Sequence, residues 1–395
     1  MKILLASSSS GSAGGGEFFL LYLARGLIDL GHETGLWCSE HERMDGLAKR
    51  FAALGEVVRS PYPNTYDRRS RSLGAAFDRA CSKRLAEEWR SWHPDFVHLN
   101  KQNLEDGLEL LGAARQLGGI PAAATVHITQ SAFFLGAEFA RLRDAVARWK
   151  LRRSNLPLVA VSDRRREELS AWAGREALRI YNGVPVATTT DEADRAAARA
   201  RLGLDPQAPL VVTVGRLVAQ KEPHLFVQTV AQWRRDLPSL QAVWVGDGDL
   251  RQVFDAEAGA TGAGEGIRCV GWQDQVGDWL RAADVYLHTA RFEGLPLALL
   301  EAMAHGLPCV VRDDILAEAE PLRGCPGLVS LDQAAEGFAW LADAGQRSAA
   351  GAAARRLQQE MFSVEAMARE YAALYRRGIG SNHPDSPRFQ PATTA

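Results

Sequence analysis

What most constrains this chain is an alternation of short, continuous apolar runs with longer stretches of helical periodicity. In the first half the runs are 3–7, 34–38, 95–99, 122–128 and 158–161; in the second they are 210–215, 242–245, 267–270, 284–288 and 308–311. Strands apolar along their whole length are buried on both faces, a property of parallel sheets covered by helices. Two such sets in 395 residues predict an α/β chain of two doubly wound, Rossmann-like domains. Between the runs, Leu20, Leu23, Leu27 and Leu30 recur at helical spacing and Gly31 closes that helix. The stretch 188–204 is rich in Ala, Arg and Asp with few apolar anchors, which places the domain connection around 184–206. The expected domains are therefore 1–185 and 186–362. A last helical pattern at 363–377 is expected to pack back on the first domain. Residues 378–395, polar and turn-forming, read as a disordered tail.

Composition removes several function classes. A formal net charge of -2 argues against a generally basic nucleic-acid binder. That balance hides a split, because residues 1–180 carry 26 Lys+Arg against 21 Asp+Glu and the remainder 20 against 27. The two halves are expected to meet different partners. Five cysteines without a CxxC pair argue against a disulfide framework or zinc site and suit a reducing cytosol. The segment 1–7 has no long apolar core of the signal-peptide type. The uncharged stretch 117–137 holds Gly118, Gly119, Pro121, His127 and Gln130, so it reads as loop, strand and loop rather than a membrane span.

Two constellations carry chemistry. In the segment 291–307 (RFEGLPLALLEAMAHGL) a strand ends near Thr289, a loop carries Glu293 and Gly294, and a helix is predicted to begin at Pro296. Unpaired amides around Leu295 and the helix dipole suit an anion such as phosphate. Glu301 lies roughly 7–8 Å farther along the axis, where a carboxylate can accept two neighbouring ribose hydroxyls. A capped surface helix with two solvated glutamates is the alternative. In the second, Gly215 and Arg216 stand at the carboxyl end of a strand, with Lys221 in the following loop. A guanidinium fork and an ammonium together neutralise a diphosphate; an ordinary loop with two cations is the alternative. In the first half, Gly14-Gly15-Gly16-Glu17 joins strand to helix, but the missing GxGxxG and P-loop lysine argue against NAD or a P-loop site. His127 ends its strand at the ligand-bearing edge, with a structural role as the alternative. Asp247-Gly248-Asp249 has DxD spacing, yet Gly and Asp already account for a turn there, and no metal is expected.

Taken together these motifs resemble the retaining glycosyltransferases of family 4, built on the GT-B fold of two Rossmann-like domains facing a central cleft. The resemblance rests on the Gly14-Gly15 loop, Val161-Ser162, Tyr181-Asn182-Gly183-Val184, Val214-Gly215-Arg216 with Lys221, Val245-Gly246-Asp247-Gly248, and Glu293-Gly294-Leu295-Pro296 with Glu301 in E-x7-E spacing. It implies that Arg216, Lys221 and the amides of Gly294, Leu295, Pro296, Gly15 and Gly16 hold a donor diphosphate. Gly246 joins that set, Trp272 and Gln273 line the nucleobase pocket, and Glu301 takes the ribose. Glu293 and His127 are implied as catalytic positions, contacting the transferred sugar. One departure stands out. Leu316-Ala317 replace the family's usual glycine pair while Glu320 is kept, so the side chains there are expected to reshape the sugar pocket.

The resemblance implies a cytoplasmic, metal-independent enzyme without a cofactor. Its donor is a nucleotide diphosphate sugar, a UDP-sugar before GDP-mannose, and its acceptor a saccharide or lipid-linked glycan of surface polysaccharide or lipopolysaccharide synthesis. Asn100, Lys101 and Asn103 are the acceptor candidates. The basic stretch 141–153 (Arg141, Arg143, Arg148, Lys150, Arg152, Arg153) suits an anionic inner membrane face, with a solvated helix face as the alternative. Rival functions are a nucleotide-sugar 2-epimerase on the same fold and an inactive sugar-nucleotide-binding protein.

Overall fold

The structure, a computed structural model, describes residues 1–8, 14–188, 192–262 and 266–381. It divides into two compact units, Met1–Gly183 with the segment from Val364, and Val184–Ser363. The first holds a seven-stranded sheet of β1 (Lys2–Ser7), β2 (Glu33–Ser39), β3 (Glu56–Ser60), β4 (Phe96–Asn103), β5 (Ala122–Ile128), β6 (Leu158–Ala160) and β7 (Leu178–Arg179), in the order β3-β2-β1-β4-β5-β6-β7. The second holds β8 (Leu210–Val214), β9 (Gln241–Val245), β10 (Ile267–Cys269), β11 (Val285–His288), β12 (Cys309–Val311) and β13 (Leu328–Ser330), in the order β10-β9-β8-β11-β12-β13. Every strand pairing is parallel. Strand order reverses between β1 and β4 in one sheet and between β8 and β11 in the other. In open α/β sheets the crevice at the carboxyl ends beside such a reversal collects ligands.

Three strands lie outside the runs the sequence displays. β3 reads EVVRS and is half-buried at the sheet edge, β7 has two residues, and β13 has three. Their sequences do not form a long apolar run, and neighbouring strands supply the register instead.

The division between the units falls at Gly183 and Val184, at the start of the stretch expected to connect the domains. Residues Glu192–Arg201 form a helix of the second unit. Its anchor is ionic rather than apolar. Buried Arg199 donates to Asp284 Oδ2 at 2.7 Å and to the carbonyls of Ala282, Pro206 and Ala208 at 3.0, 2.8 and 3.1 Å.

The C-terminal helix, Val364–Ser381, lies on the helix Gly15–Asp29, so closely that a Cβ on Gly26 would come within 2.6 Å of that of Ala368. Tyr371 reaches Thr125 Oγ1 on β5 and Tyr375 reaches His98 Nδ1 on β4, both at 2.8 Å. The helix continues beyond residue 377, and Gly378 lets it pass close to the Phe96 ring, where a Cβ would stand 2.8 Å away. Residues 382–395 of the expected tail lie outside the described residues. No helix among the described residues is long and apolar enough to cross a membrane.

Candidate active site

In the second unit, the β8/β11 reversal brings two loops together. Gly215 follows β8 and donates its amide to Val245 at 3.0 Å, and its carbonyl accepts from Trp244 Nε1 at 2.8 Å. A Cβ on Gly246 would lie 2.1 Å from that carbonyl, and its φ of +137° lies in glycine territory, so the strand ends approach only because residue 246 is glycine. Arg216 projects into solvent without a side-chain partner among the described residues. Lys221 ends a short turn stitched to the loop after β11. Thr289 Oγ1 donates to the Lys221 carbonyl at 2.8 Å, Gln220 Nε2 to the Phe292 carbonyl at 2.8 Å, and the Arg291 amide to the Gln220 carbonyl at 2.9 Å.

Those stitches set Lys221 and Glu293 side by side, and the Lys221 ammonium donates to Glu293 Oε1. Glu293 is only 8% exposed. The same oxygen lies 3.9 Å from Nε2 of His288, which is 2% exposed and has no hydrogen-bond partner at that nitrogen among the described residues. Burial first, then the neighbouring Lys221 charge, hold the His288 imidazole well below its ordinary range and so neutral. Sequence reasoning missed His288, although a histidine ending a strand beside the Glu-Gly loop was the same signal that singled out His127.

Pro296 does not open the helix as predicted. It occupies the cap with extended ψ 118°, and the helix spans Leu297–Ala304. The reason is that its carbonyl accepts the first helical bond, from Leu300 at 3.2 Å, while its own backbone stays outside the helix. Gly294 and Leu295 are buried in the preceding loop, and half-buried Glu301 lies along the helix. Trp272 leaves its indole 49% exposed. Gln273 is engaged internally, donating to the Val270 carbonyl at 3.0 Å and accepting from Trp279 Nε1 at 3.4 Å. After β12, Leu316 completes a short helix (Asp313–Leu316) and Ala317 caps it. Among the described residues, no group of three His, Cys, Asp or Glu is placed to hold a metal ion; Asp247 accepts from the amide of Gly248 at 2.8 Å.

In the first unit, the β1/β4 reversal gathers Gly16, Asn100 and His127. Gly14 caps the helix Gly15–Asp29, and the Glu17 carboxylate accepts from the Gly14 amide at 2.9 Å. A Cβ on Gly16 would lie 2.2 Å from the Gln102 amide. Asn100 Nδ2 donates to the Gly16 carbonyl at 3.0 Å, and Oδ1 stands 2.7 Å from His127 Nε2. Since a carbonyl only accepts, the Asn100 amide is oriented, and Oδ1 must receive the proton of Nε2. His127 therefore keeps its lone pair on Nδ1. Burial lowers its pKa to about 4, so the ring is neutral at neutral pH.

The three acceptor candidates turn inward. Asn100 is fully buried in the contacts just given, with its carbonyl accepting from Ser8 Oγ at 2.9 Å. Lys101 is fully buried near Asp106, Glu109 and Glu105, and burial lowers its ammonium to about 8. Asn103 Oδ1 accepts the amides of Glu105 and Asp106 at 3.1 and 3.0 Å, and its Nδ2 donates to Tyr66. Of the basic stretch, Arg143 also faces inward, pairing with Glu105 at 2.5 Å.

Comparison with known proteins agrees with this architecture. The family model described as Glycosyltransferase Family 4 matches residues 13–188, and that described as Glycosyl transferases group 1 matches 194–321. The chain is 27% identical to the alpha-D-kanosaminyltransferase of Streptomyces kanamyceticus over 49% of its own length. It is 30% identical to the lipopolysaccharide core biosynthesis mannosyltransferase LpsB of Rhizobium meliloti over 54%. These matches span 53% and 66% of the two relatives' lengths. The crystal structure of Anabaena HepE in complex with UDP superposes with a TM-score of 0.73 at 21% identity, covering 95% of this chain and 100% of that one. The paired Rossmann-like units are those of the GT-B fold. From both family matches and the shared fold, the chain belongs to the family 4 glycosyltransferases (glycosyl transferases group 1).

Proposed function

We propose that this chain is a metal-independent, retaining glycosyltransferase that moves a sugar from a UDP-sugar to a saccharide or lipid-linked acceptor in surface polysaccharide or lipopolysaccharide synthesis. The observation that carries this reading is the pairing of Lys221 with Glu293 just before the helix that bears Glu301, with the exposed Arg216 just past the end of β8. Arg216 is a free cation for phosphate, and Lys221 is a second within reach of the same loop. The amide of Gly294, in the loop before that helix, adds a donor. Glu301 accepts the ribose hydroxyls and Glu293 those of the sugar. As the glycosidic bond breaks, negative charge grows on the departing diphosphate and the sugar becomes oxocarbenium-like. Prepositioned cations stabilise that separation without further reorganisation. Retention follows when the acceptor attacks the face the diphosphate is leaving and the departing oxygen takes its proton. His127 offers Nδ1 to a sugar hydroxyl. The names of the two transferases and the UDP held by HepE support the reaction class and the donor.

A panel of UDP, GDP, ADP and TDP tests the donor. UDP at a hundred times its Kd is expected to add about 2.7 kcal/mol of stability, several degrees in melting temperature. Glu301→Ala should reduce that shift, and slow UDP-sugar hydrolysis should survive EDTA. No shift with any nucleotide overturns the donor assignment, and a strict Mn²⁺ requirement overturns metal independence.

The reading extends to the membrane surface. Phe133, Phe134, Leu135, Phe139, Leu142 and Trp149 are exposed together with cations of the helix Ala140–Arg153. Arg141 lies 5.7 Å over the Phe133 ring, and Lys150 and Arg153 lie 5.7 and 5.5 Å over Trp149. Aromatic side chains ringed by cations complement an anionic bilayer surface, where a lipid-linked acceptor would sit. Binding to phosphatidylglycerol vesicles is expected, and Phe134→Ser with Phe139→Ser should weaken it about tenfold or more. Equal binding of variant and wild type returns this helix to a solvated role.

A further inference from the structure

We propose that His288 takes the place of Lys221 on Glu293 once the lysine turns to a donor diphosphate. The inference rests on the donor-binding reading of Lys221. In the free protein one buried carboxylate oxygen, Glu293 Oε1, is held by the Lys221 ammonium. If a diphosphate draws that ammonium away, Glu293 is left nearly enclosed without a cation. A buried carboxylate that loses its partner must find another or take up a proton itself.

His288 is built for that exchange. Its Nε2 points at the same Glu293 oxygen from 3.9 Å and, though buried, has no hydrogen-bond partner among the described residues. A buried ring nitrogen left unpaired is costly, so it calls for a state in which it is used. At the other nitrogen, the Tyr286 hydroxyl stands 3.4 Å from Nδ1, with the two rings stacked 6.0 Å apart. The charged or titratable groups facing the imidazole are Lys221 from the loop after β8, Glu293 from the loop after β11, and Tyr286 on its own strand, which in turn feels Glu301.

While Lys221 sits on Glu293, its charge and the burial of the ring keep the imidazole neutral. When Lys221 moves to the diphosphate, the repulsion falls and the bare carboxylate becomes the dominant neighbour. With its own proton on Nδ1, facing the Tyr286 hydroxyl, His288 then accepts one further proton from solvent at Nε2, and a small ring tilt makes an Nε2–H donor to Glu293. Donor release returns the proton. Glu293 keeps a cationic partner throughout and stays oriented for the sugar, which makes His288 a positioning residue. The sign of the linkage follows: the complex binds one more proton than the free protein, so donor affinity rises as pH falls.

Isothermal titration of UDP-glucose into the full chain tests this. The diphosphate of UDP-glucose carries no group that titrates near neutrality, so proton uptake measured in phosphate and in Tris buffers belongs to the protein. The expected result is uptake of up to one proton per donor, with affinity rising at most about tenfold per unit as pH falls from 8 to 6. His288→Gln should still bind UDP-glucose, with the uptake and the pH dependence gone. In the unmutated chain, the ring ¹⁵N shifts of His288 should move to imidazolium values on donor binding. Donor binding without proton uptake, uptake that persists in the His288→Gln variant, or unchanged ring shifts overturns the proposal while leaving the donor reading intact. A chain that binds neither UDP-glucose nor any other nucleotide sugar overturns the donor reading, and this inference with it.

Discussion

Lys221→Met is expected to lower UDP-sugar turnover by about 10²–10³-fold, the usual cost of removing one preorganised group that stabilises developing charge. Methionine keeps the length and apolar contacts of the stem, so the loss falls on the ammonium. The free protein should suffer as well, because Glu293 loses its ammonium and has only the buried His288 ring to replace it. Breaking a buried pair from one side costs at most about 3–5 kcal/mol, and protonation of His288 offsets part of that loss. Lys221→Met combined with Glu293→Gln should therefore recover much of the stability while turnover stays low. Denaturant melts of the single and double variants, run beside a UDP-sugar hydrolysis assay, make the comparison. If turnover in the single variant stays within a few fold of wild type, Lys221 does not meet the leaving diphosphate.

The chemistry-bearing residues were more legible than their partners. Gly215 and Arg216 just past β8, Glu293 in the loop after β11 and Glu301 on the helix that follows could be placed from sequence, because strand ends and helical periodicity leave a pattern there. The pairing of Lys221 with Glu293 was not legible. It depends on stitches between the loops after β8 and β11, such as Gln220 to Phe292, which leave no periodic trace. Asn100 shows the converse. As a polar residue on the loop side of a strand it read as an acceptor contact, yet its amide bonds Gly16 and His127 and fixes the histidine tautomer. Lys101 was misplaced for a similar reason. Both faces of β4 are covered here, so Asn100 and Lys101 on opposite faces are equally buried, and the carboxylates that accompany Lys101 come from residues 105–109. Proximity to a strand end predicts where a residue lies but not which way its polar atoms face.

Asp284→Ala is expected to cost the second unit about 3–5 kcal/mol, again because it strands buried charge. Asp284 stands immediately before β11 and is buried. One oxygen accepts from Arg199 at 2.7 Å and from the Leu210 amide at 2.8 Å; the other pairs with Arg195 and, at 3.4 Å, with Arg347. A single carboxylate thus ties the helix Glu192–Arg201, the start of β8 and the helix Ala344–Met361 to the sheet. Without it, Arg199 keeps its carbonyl contacts but loses its counter-charge among the described residues, in a buried site. For a unit of this size the loss corresponds to a melting temperature lower by about 10 °C or more. Asp284→Asn should fall between, since the amide oxygen can still accept from Leu210 while the charge is gone. Asp284 and Glu293 flank the same strand from opposite ends, so the two carboxylates separate by assay. Asp284→Ala should leave the Kd for UDP within about twofold of wild type at temperatures where both are folded, whereas Glu293 and Lys221 variants should change turnover. A melting-temperature drop under about 2 °C would mean that the arginines find other partners and that the ionic anchor of the Glu192–Arg201 helix is dispensable.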